Sequence, residues 1–146
     1  MPTSFSGVCP AYTGHAAAWP FLCDINPRDA AIKIGSNWLS PKLQRTRAAS
    51  EAIYLLMRHD FDDLGHLPLV WRCASLNDAS RQAAERYGFT FEGILRSSAI
   101  DKGWQRDQAR FSRVASEWPA RKSAIAAWLD KANFDEAGRA ILKLAR

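Results

Sequence analysis

No stretch of the chain approaches the roughly eighteen consecutive apolar residues that a membrane-spanning helix needs. That absence excludes a helical membrane anchor as the basis of function. No basic segment followed by an apolar one opens the sequence, which argues against a secretory leader and points to the cytoplasm. Cysteine is scarce. Cys9, Cys23 and Cys73 are odd in number and lack metal-ligand spacing, so neither a disulfide framework nor a metal centre is expected. They fit a reducing compartment as small packing residues. No run of five or more Lys or Arg occurs, although the net charge is +5. The excess admits nucleic acid, an acidic partner or an anionic cofactor. Without a basic block, nucleic-acid binding is only weakly supported. Internal repeats and low-complexity tracts are also missing, which excludes solenoid and linker architectures.

What is present suits one folded domain. The 146 residues, 47% hydrophobic and 24% charged, are enough to bury a substantial core. Residues 1–20 show neither helical nor strand periodicity and are predicted to be loop, leaving 21–146 as the folded unit. "FLCDI" (21–25) reads as a short strand stopped by the turn "NPRD" (26–29). "AIKIGSNWLS" (31–40) alternates as a half-buried strand does, and Gly35 inside it suggests a bulge. A helix is predicted over about 46–63, with Ala49, Ala52, Ile53, Leu56 and Asp60 or Phe61 on its buried stripe and Gly65 as its stop. "LPLVWRCAS" (67–75) is strand-like. Residues 77–89 form a helix between an N-capping Asn77 and the C-terminal Gly88. Two long antiparallel strands flank the turn "DKGW". Ser116 is expected to cap a helix with a proline in its first turn, and 134–146 to form a last short helix.

The helix that opens after Gln44-Arg45-Thr46-Arg47 begins on bare backbone and small side chains, with two arginines at its mouth. A helix N-terminus carries unpaired N–H groups and the positive end of the dipole, so cations there are locally unfavourable. The same features make an anion site, because small residues let a phosphate approach. An ordinary surface helix with solvated arginines is the competing reading.

The segments "LQRTRAASEA", "LNDASRQAAERYGFTFEGILR", "KGWQRDQARFS" and "EWPARKSAIAAWL", in this order and spacing, resemble the GNAT acetyltransferase superfamily. Within it the chain is most similar to the ribosomal-protein-alanine N-acetyltransferase branch, from about residue 21 onward. The resemblance implies an α/β (α+β) fold: a mixed sheet, flanked by helices, that splays open between two neighbouring parallel strands with acetyl-CoA wedged in the gap. Strand 31–40 would carry the bulge and 67–75 would be its splayed neighbour. The family's pyrophosphate loop, Q/R-x-x-G-x-G/A, is occupied by Gln44-Arg45-Thr46-Arg47-Ala48-Ala49. Amides of Arg45, Thr46, Arg47, Ala48, Ala49 and Ser50 would cradle the diphosphate, helped by Arg45 or Arg47. Arg47 stands where the pattern has its central glycine, so its side chain needs an outward path.

By the same resemblance Asn77 would meet the pantetheine arm while capping its helix. Many relatives carry a tyrosine four residues before the Gly-Phe that protonates the leaving thiolate; here Ala84 stands there. Tyr87 is assigned to packing. Ser80, on the helical face of Ala84, is the candidate for hydrogen-bonding the thiolate or contacting CoA. A backbone N–H freed at the bulge, around Ser36, Asn37 and Trp38, would polarise the carbonyl. Relatives often place a basic glutamate in an Ile-Glu-Ile-Gly arrangement, whereas this chain reads Ile32-Lys33-Ile34-Gly35. A lysine of ordinary pKa cannot serve. Glu92 and His59 are expected to face solvent, and the general base stays unassigned.

The implied function is an N-acetyltransferase that moves an acetyl group from acetyl-CoA to a primary amine, on a protein N-terminus or a small molecule, by direct attack. The resembling fold has two or three strands and one or two helices before the bulged strand. With only about thirty residues there, most of that N-terminal wing is expected to be absent. An unpaired sheet edge would follow, with homodimerisation or poor solubility as its consequence. Two alternatives stand beside the enzyme: an inactive remnant that binds CoA or needs a partner, and a basic adaptor for RNA or ribosomes.

Overall fold

The computed structural model describes residues 4–5, 15, 18–26, 31–65 and 67–144. Six strands form one mixed sheet: β1 (Ser4–Phe5), β2 (Ala18–Asn26), β3 (Ala31–Leu39), β4 (Pro68–Ala74), β5 (Thr90–Asp101) and β6 (Trp104–Val114), in the spatial order β1-β2-β3-β4-β6-β5. The helices are α1 (Arg47–Arg58), α2 (Asp78–Arg86) and α3 (Trp118–Trp128). Among the described residues only the β3–β4 pair is parallel, and α1 makes the crossover between them. Among the described residues no helix is long and apolar enough to cross a membrane.

Period-2 patterning places Ile32, Ile34, Leu69, Trp71, Ala109 and Phe111 on one face, where they join a single buried cluster with the helices. From α1, the residues Ile53, Leu56 and Met57 enter that cluster at helical spacing. Ile53 and Met57 are almost wholly buried, each worth about 1.5–3 kcal/mol in area removed from water. From α3, Trp118, Ile125 and Trp128 do the same.

The predicted long helix changes character at its end. α1 is regular to Arg58 and continues as one π-helical turn over His59–Leu64, closed by Gly65 in the left-handed region (φ 67). This turn brings Asp62 to α3, where it accepts from Trp118 Nε1 at 2.7 Å and Lys122 Nζ at 2.5 Å. Those two bonds hold its carboxyl below the usual carboxylate range. Phe61 stacks on Trp118 with ring centroids 5.1 Å apart.

Asn77 caps α2 as expected, its side chain accepting from the Ser80 amide at 3.1 Å. Gly88 ends the turn beyond Tyr87 at φ 84. A Cβ there would lie 2.6 Å from Arg121 Nε and 2.7 Å from an Arg113 guanidinium nitrogen. Arg121 is buried because it closes this helix end, donating to the carbonyls of Tyr87 and Arg86. The hairpin turn is two residues, Lys102 and Gly103, both at positive φ, as a tight turn matched to strand twist requires.

Three local expectations fail. β1 and the first residues of β2 fall within 1–20, where loop was predicted; their order comes from pairing with neighbours and not from local periodicity. Ser116 lies inside a 3₁₀ turn (Ala115–Glu117) and α3 is capped at Glu117 instead. Residues 134–144 form no helix. Phe134 bridges Ala140 around a turn with Gly138 at φ 74, and the Asn133 side chain bonds Trp128 O and the Leu142 amide, each at 2.9 Å. Cys9 and residues 27–29 of the "NPRD" turn lie outside the described residues.

A candidate cofactor cleft at the split in the sheet

Parallel pairing between β3 and β4 runs only from Ile32↔Leu69 to Ile34↔Trp71. Beyond it β3 stays paired with β2 as far as Leu39↔Ala18, and β4 with β6 as far as Ala74↔Gln108. The two strands therefore part after Ile34 and Trp71. On the β2 side, Trp19↔Trp38 and Phe21↔Gly35 leave two residues of β3, Ser36 and Asn37, facing one of β2. The bulge expected near Gly35 is thus in β3, at the start of the split. Ser36, Asn37 and Trp38, around which a carbonyl-polarising N–H was expected, lie beyond the last β3–β4 pair among the described residues.

A cleft of about 560 Å³ opens at this split. One wall is the approach to α1, with Leu39, Pro41, Gln44, Arg45, Ala49 and Ile53; the other is α2, with Asn77, Ala79, Ser80, Gln82, Ala83, Arg86 and Tyr87; Trp71 is shared between them. Gln44, Arg45, Ala49, Asn77 and Ser80, all singled out from the sequence, meet here. Thr46, Arg47, Ala48 and Ser50 do not line it, and the local bonding says why.

Thr46 is the N-cap of α1. Its hydroxyl accepts from the Ala49 amide at 3.2 Å and donates to Leu43 O at 2.7 Å. The Thr46 amide bonds Leu43 O and the Ser50 amide bonds Thr46 O, both at 3.3 Å. Of the six amides expected to cradle an anion, Thr46, Ala49 and Ser50 are therefore engaged within the protein. Arg47 and Ala48, ahead of the first intrahelical bond, keep theirs for a ligand or water, and Arg45 precedes the helix. Arg45 itself is exposed, lines the cleft and holds φ 62, a conformation that non-glycine residues seldom adopt.

Arg47 has the outward path that its position demanded. Its Nε donates to Leu129 O, at the C-cap of α3, at 2.9 Å, and its guanidinium lies over the Phe134 ring at 5.5 Å. A cation at a helix C-terminus is favourably placed, so Arg47 ties α1 to α3. Ser50 is buried, donating to Thr46 O at 3.3 Å and accepting from Arg86 at 3.1 Å. Arg86 was not foreseen. It lies over Trp128 at 4.9 Å and sets a positive charge in the wall of α2. Ala79, Gln82, Ala83, Arg86 and Tyr87 share one helical face at i, i+3, i+4, i+7 and i+8, a pattern that could have disclosed the cleft face of α2.

Ser80 accepts from Trp71 Nε1 at 3.0 Å, which leaves its own proton for donation. Cys73 lies nearby. Burial pushes its thiol up, and the nearby Ser80 hydroxyl and Arg81 charge work against that shift. Ala84 is fully buried and Tyr87 packs on Trp71, with centroids 6.2 Å apart.

The titratable residues considered as bases are occupied elsewhere. Glu92 accepts from Ser112 at 2.6 Å and Arg110 at 2.5 Å, bonds that lower its pKa. Lys33 pairs with Asp24, and His59 is exposed 2.8 Å from Asp63. Among the described residues no cluster of three or more His, Cys, Asp or Glu could hold a metal.

A sheet split between parallel strands, with a helix N-terminus and a second helix walling the gap, is the arrangement that the GNAT resemblance implied. Residues 13–90 match the family model of the acetyltransferase (GNAT) domain, and the chain belongs to the GNAT acetyltransferase family. Its structure is similar to a GCN5-related N-acetyltransferase from Brucella melitensis, at 44% identity and a TM-score of 0.92, over 96% of this chain and 63% of that one. A probable GNAT-family acetyltransferase from Chromobacterium violaceum is 39% identical, with a TM-score of 0.75 over 80% of this chain and 59% of that one. Mycobacterium smegmatis RimJ, solved in complex with CoA-disulfide, shares the fold at 21% identity and a TM-score of 0.68, over 78% of this chain and 56% of that one. The chain thus spans less than two thirds of each of these structures. No curated protein matches the sequence.

Proposed function

We propose that the cleft binds acetyl-CoA and that the protein transfers the acetyl group to a primary amine, on a protein N-terminus or a small molecule. One observation carries this reading: β3 and β4 separate at the point where the α1 N-terminus, Asn77 and Ser80 converge on one cleft. The residues fit such a ligand. Small side chains at Ala49, Ala79 and Ala83 leave a slot, and Arg45 lines it with positive charge for a diphosphate. The amides of Arg47 and Ala48, in the first turn of α1 behind Arg45, add the positive end of the helix. Acetyl-CoA supplies an activated acyl group as a thioester.

The chain's own groups divide the remaining work. Backbone N–H groups of 36–38 would hold the carbonyl oxygen, while the Ser80 hydroxyl, oriented by Trp71, would donate to the sulfur as charge develops. No carboxylate or histidine among the candidates named above is positioned to take the amine proton, so the amine enters neutral or loses its proton to water.

Thiol release from acetyl-CoA, measured over a panel of amines, tests the reading with Ser80→Ala as the probe. The expected result is turnover with kcat reduced about tenfold in the variant, the worth of one hydrogen bond. Acetyl-CoA binding without turnover on any amine would favour the non-catalytic CoA-binding module instead.

A further inference from the structure

The sheet face turned away from the helices is not apolar. Strand register sets Cys23, Lys33 and Val70 in one row across it, with Val70 opposite Ser112 and Arg72 opposite Arg110. Among the described residues its charged groups at the centre are Asp24, Lys33, Arg72, Glu92 and Arg110, and they pair unevenly. Lys33 bonds Asp24. Arg110 donates to one Glu92 oxygen and Ser112 to the other. Arg72 makes no ion pair of its own among the described residues: its charge reaches Glu92, but its Nε is buried without a hydrogen bond. It also stands directly across the ladder from Arg110, where like charges repel.

Three cations thus share two carboxylates, at a place where a buried donor without an acceptor is unfavourable. The location matters as much as the imbalance. Arg72 follows Trp71, the last residue of β4 paired with β3, so it sits where the sheet opens, on the face opposite α2. A ligand approaching the split from that side meets it first. One missing negative charge calls for a monoanion, and a guanidinium matches a carboxylate through two parallel N–H bonds.

We propose that Arg72 binds a carboxylate carried by the acceptor, so that the acceptor is an amino acid or peptide whose carboxylate lies close to its amino group. This rests on the acetyl-transfer reading above, and names the acceptor class for it.

Nitrogen-15 spectra of the whole chain provide the test, with the Arg72 Nε–H signal identified by its loss in Arg72→Lys. The probes are N-acetylglycine and N-acetylglycinamide, which differ only in the carboxylate. The expected result is a saturable shift of the Arg72 signal with N-acetylglycine and at least tenfold weaker binding of the amide. Equal responses, no response, or a response confined to Arg110 would overturn the proposal. Acetyl-CoA titrated into the same sample, followed at the Arg47 and Ala48 amides, reports the cofactor cleft separately. A response there without one at Arg72 leaves acetyl transfer standing and overturns the carboxylate site. A carboxylate response without one to acetyl-CoA supports the site and overturns its role in acetyl transfer.

Discussion

On the sheet face beneath the helices, Ile32, Ile34, Leu69, Trp71 and Phe111 are buried in one apolar cluster; one residue along the same strands, Lys33, Arg72 and Arg110 carry charge on the opposite face. The two faces share backbone, register and length. What differs is what each can bury against. α1, α2 and α3 supply apolar partners to the first, whereas the second carries ion pairs, Lys33 with Asp24 and Arg110 with Glu92. Substitutions on the covered face should therefore act through volume, and those on the charged face through pH and ligand.

The strongest break in that comparison is Phe111→Ala. Phe111 is fully buried at the centre of the covered face, and its loss should cost about 3–5 kcal/mol, read from urea unfolding. A cost under about 1 kcal/mol would mean that the face is loosely packed. Gly88→Ala should come next. A side chain at φ 84 costs about 1–2 kcal/mol in backbone strain alone, and here it would also push Arg121 off the end of α2. Thr46→Ala should lose about 1 kcal/mol by removing the α1 cap, with Thr46→Ser restoring most of it.

The smallest effect separates the ion-paired carboxylates from the apolar core by pH. Glu92 on the charged face and Asp62 at the α1–α3 contact both have lowered pKa values, through Ser112 and through Lys122 with Trp118. A depressed folded-state pKa contributes stability that is present above the unfolded value and lost as pH falls through the carboxylate range. Stability should therefore decline on acidification below about pH 5, within reach of ordinary carboxylate titration. Because both groups are partly exposed, the slope should be modest and should flatten in added salt. In Glu92→Gln/Asp62→Asn it should be shallower still, while Phe111→Ala should leave it unchanged.

Much of the covered face was legible in the sequence, because period-2 strands and a period-3.6 stripe on α1 state their burial directly. Asn77, Gly65 and Gly88 punctuated the helices in the same local way. The last segment was misread because its order comes from Asn133 reaching across to Trp128 and Leu142, a contact that no local pattern encodes. The same holds for β1 and the start of β2, which gain order from their partners.

At the candidate site, the loop before α1 was assigned through the GNAT resemblance, and the Asn77 cap of α2 was readable from local chemistry. The division of labour between Arg45 and Arg47 was not. It depends on where the C-terminus of α3 lies, and Leu129 is far away in sequence. Arg72 escaped notice for a related reason: its partner deficit emerges only when register sets it against Arg110.

The central claim is that the α1 N-terminus at the split sheet binds acetyl-CoA, with Arg45 facing the ligand and Arg47 serving the fold. Titration calorimetry of acetyl-CoA into the chain, Arg45→Ala and Arg47→Ala tests it most directly, with a thermal melt of each. The account predicts micromolar binding that weakens about tenfold in Arg45→Ala at unchanged melting temperature, the worth of one charge-assisted hydrogen bond. Arg47→Ala should melt lower yet bind with nearly full affinity while folded. No binding by the folded chain, or a loss of affinity confined to Arg47→Ala, would contradict it.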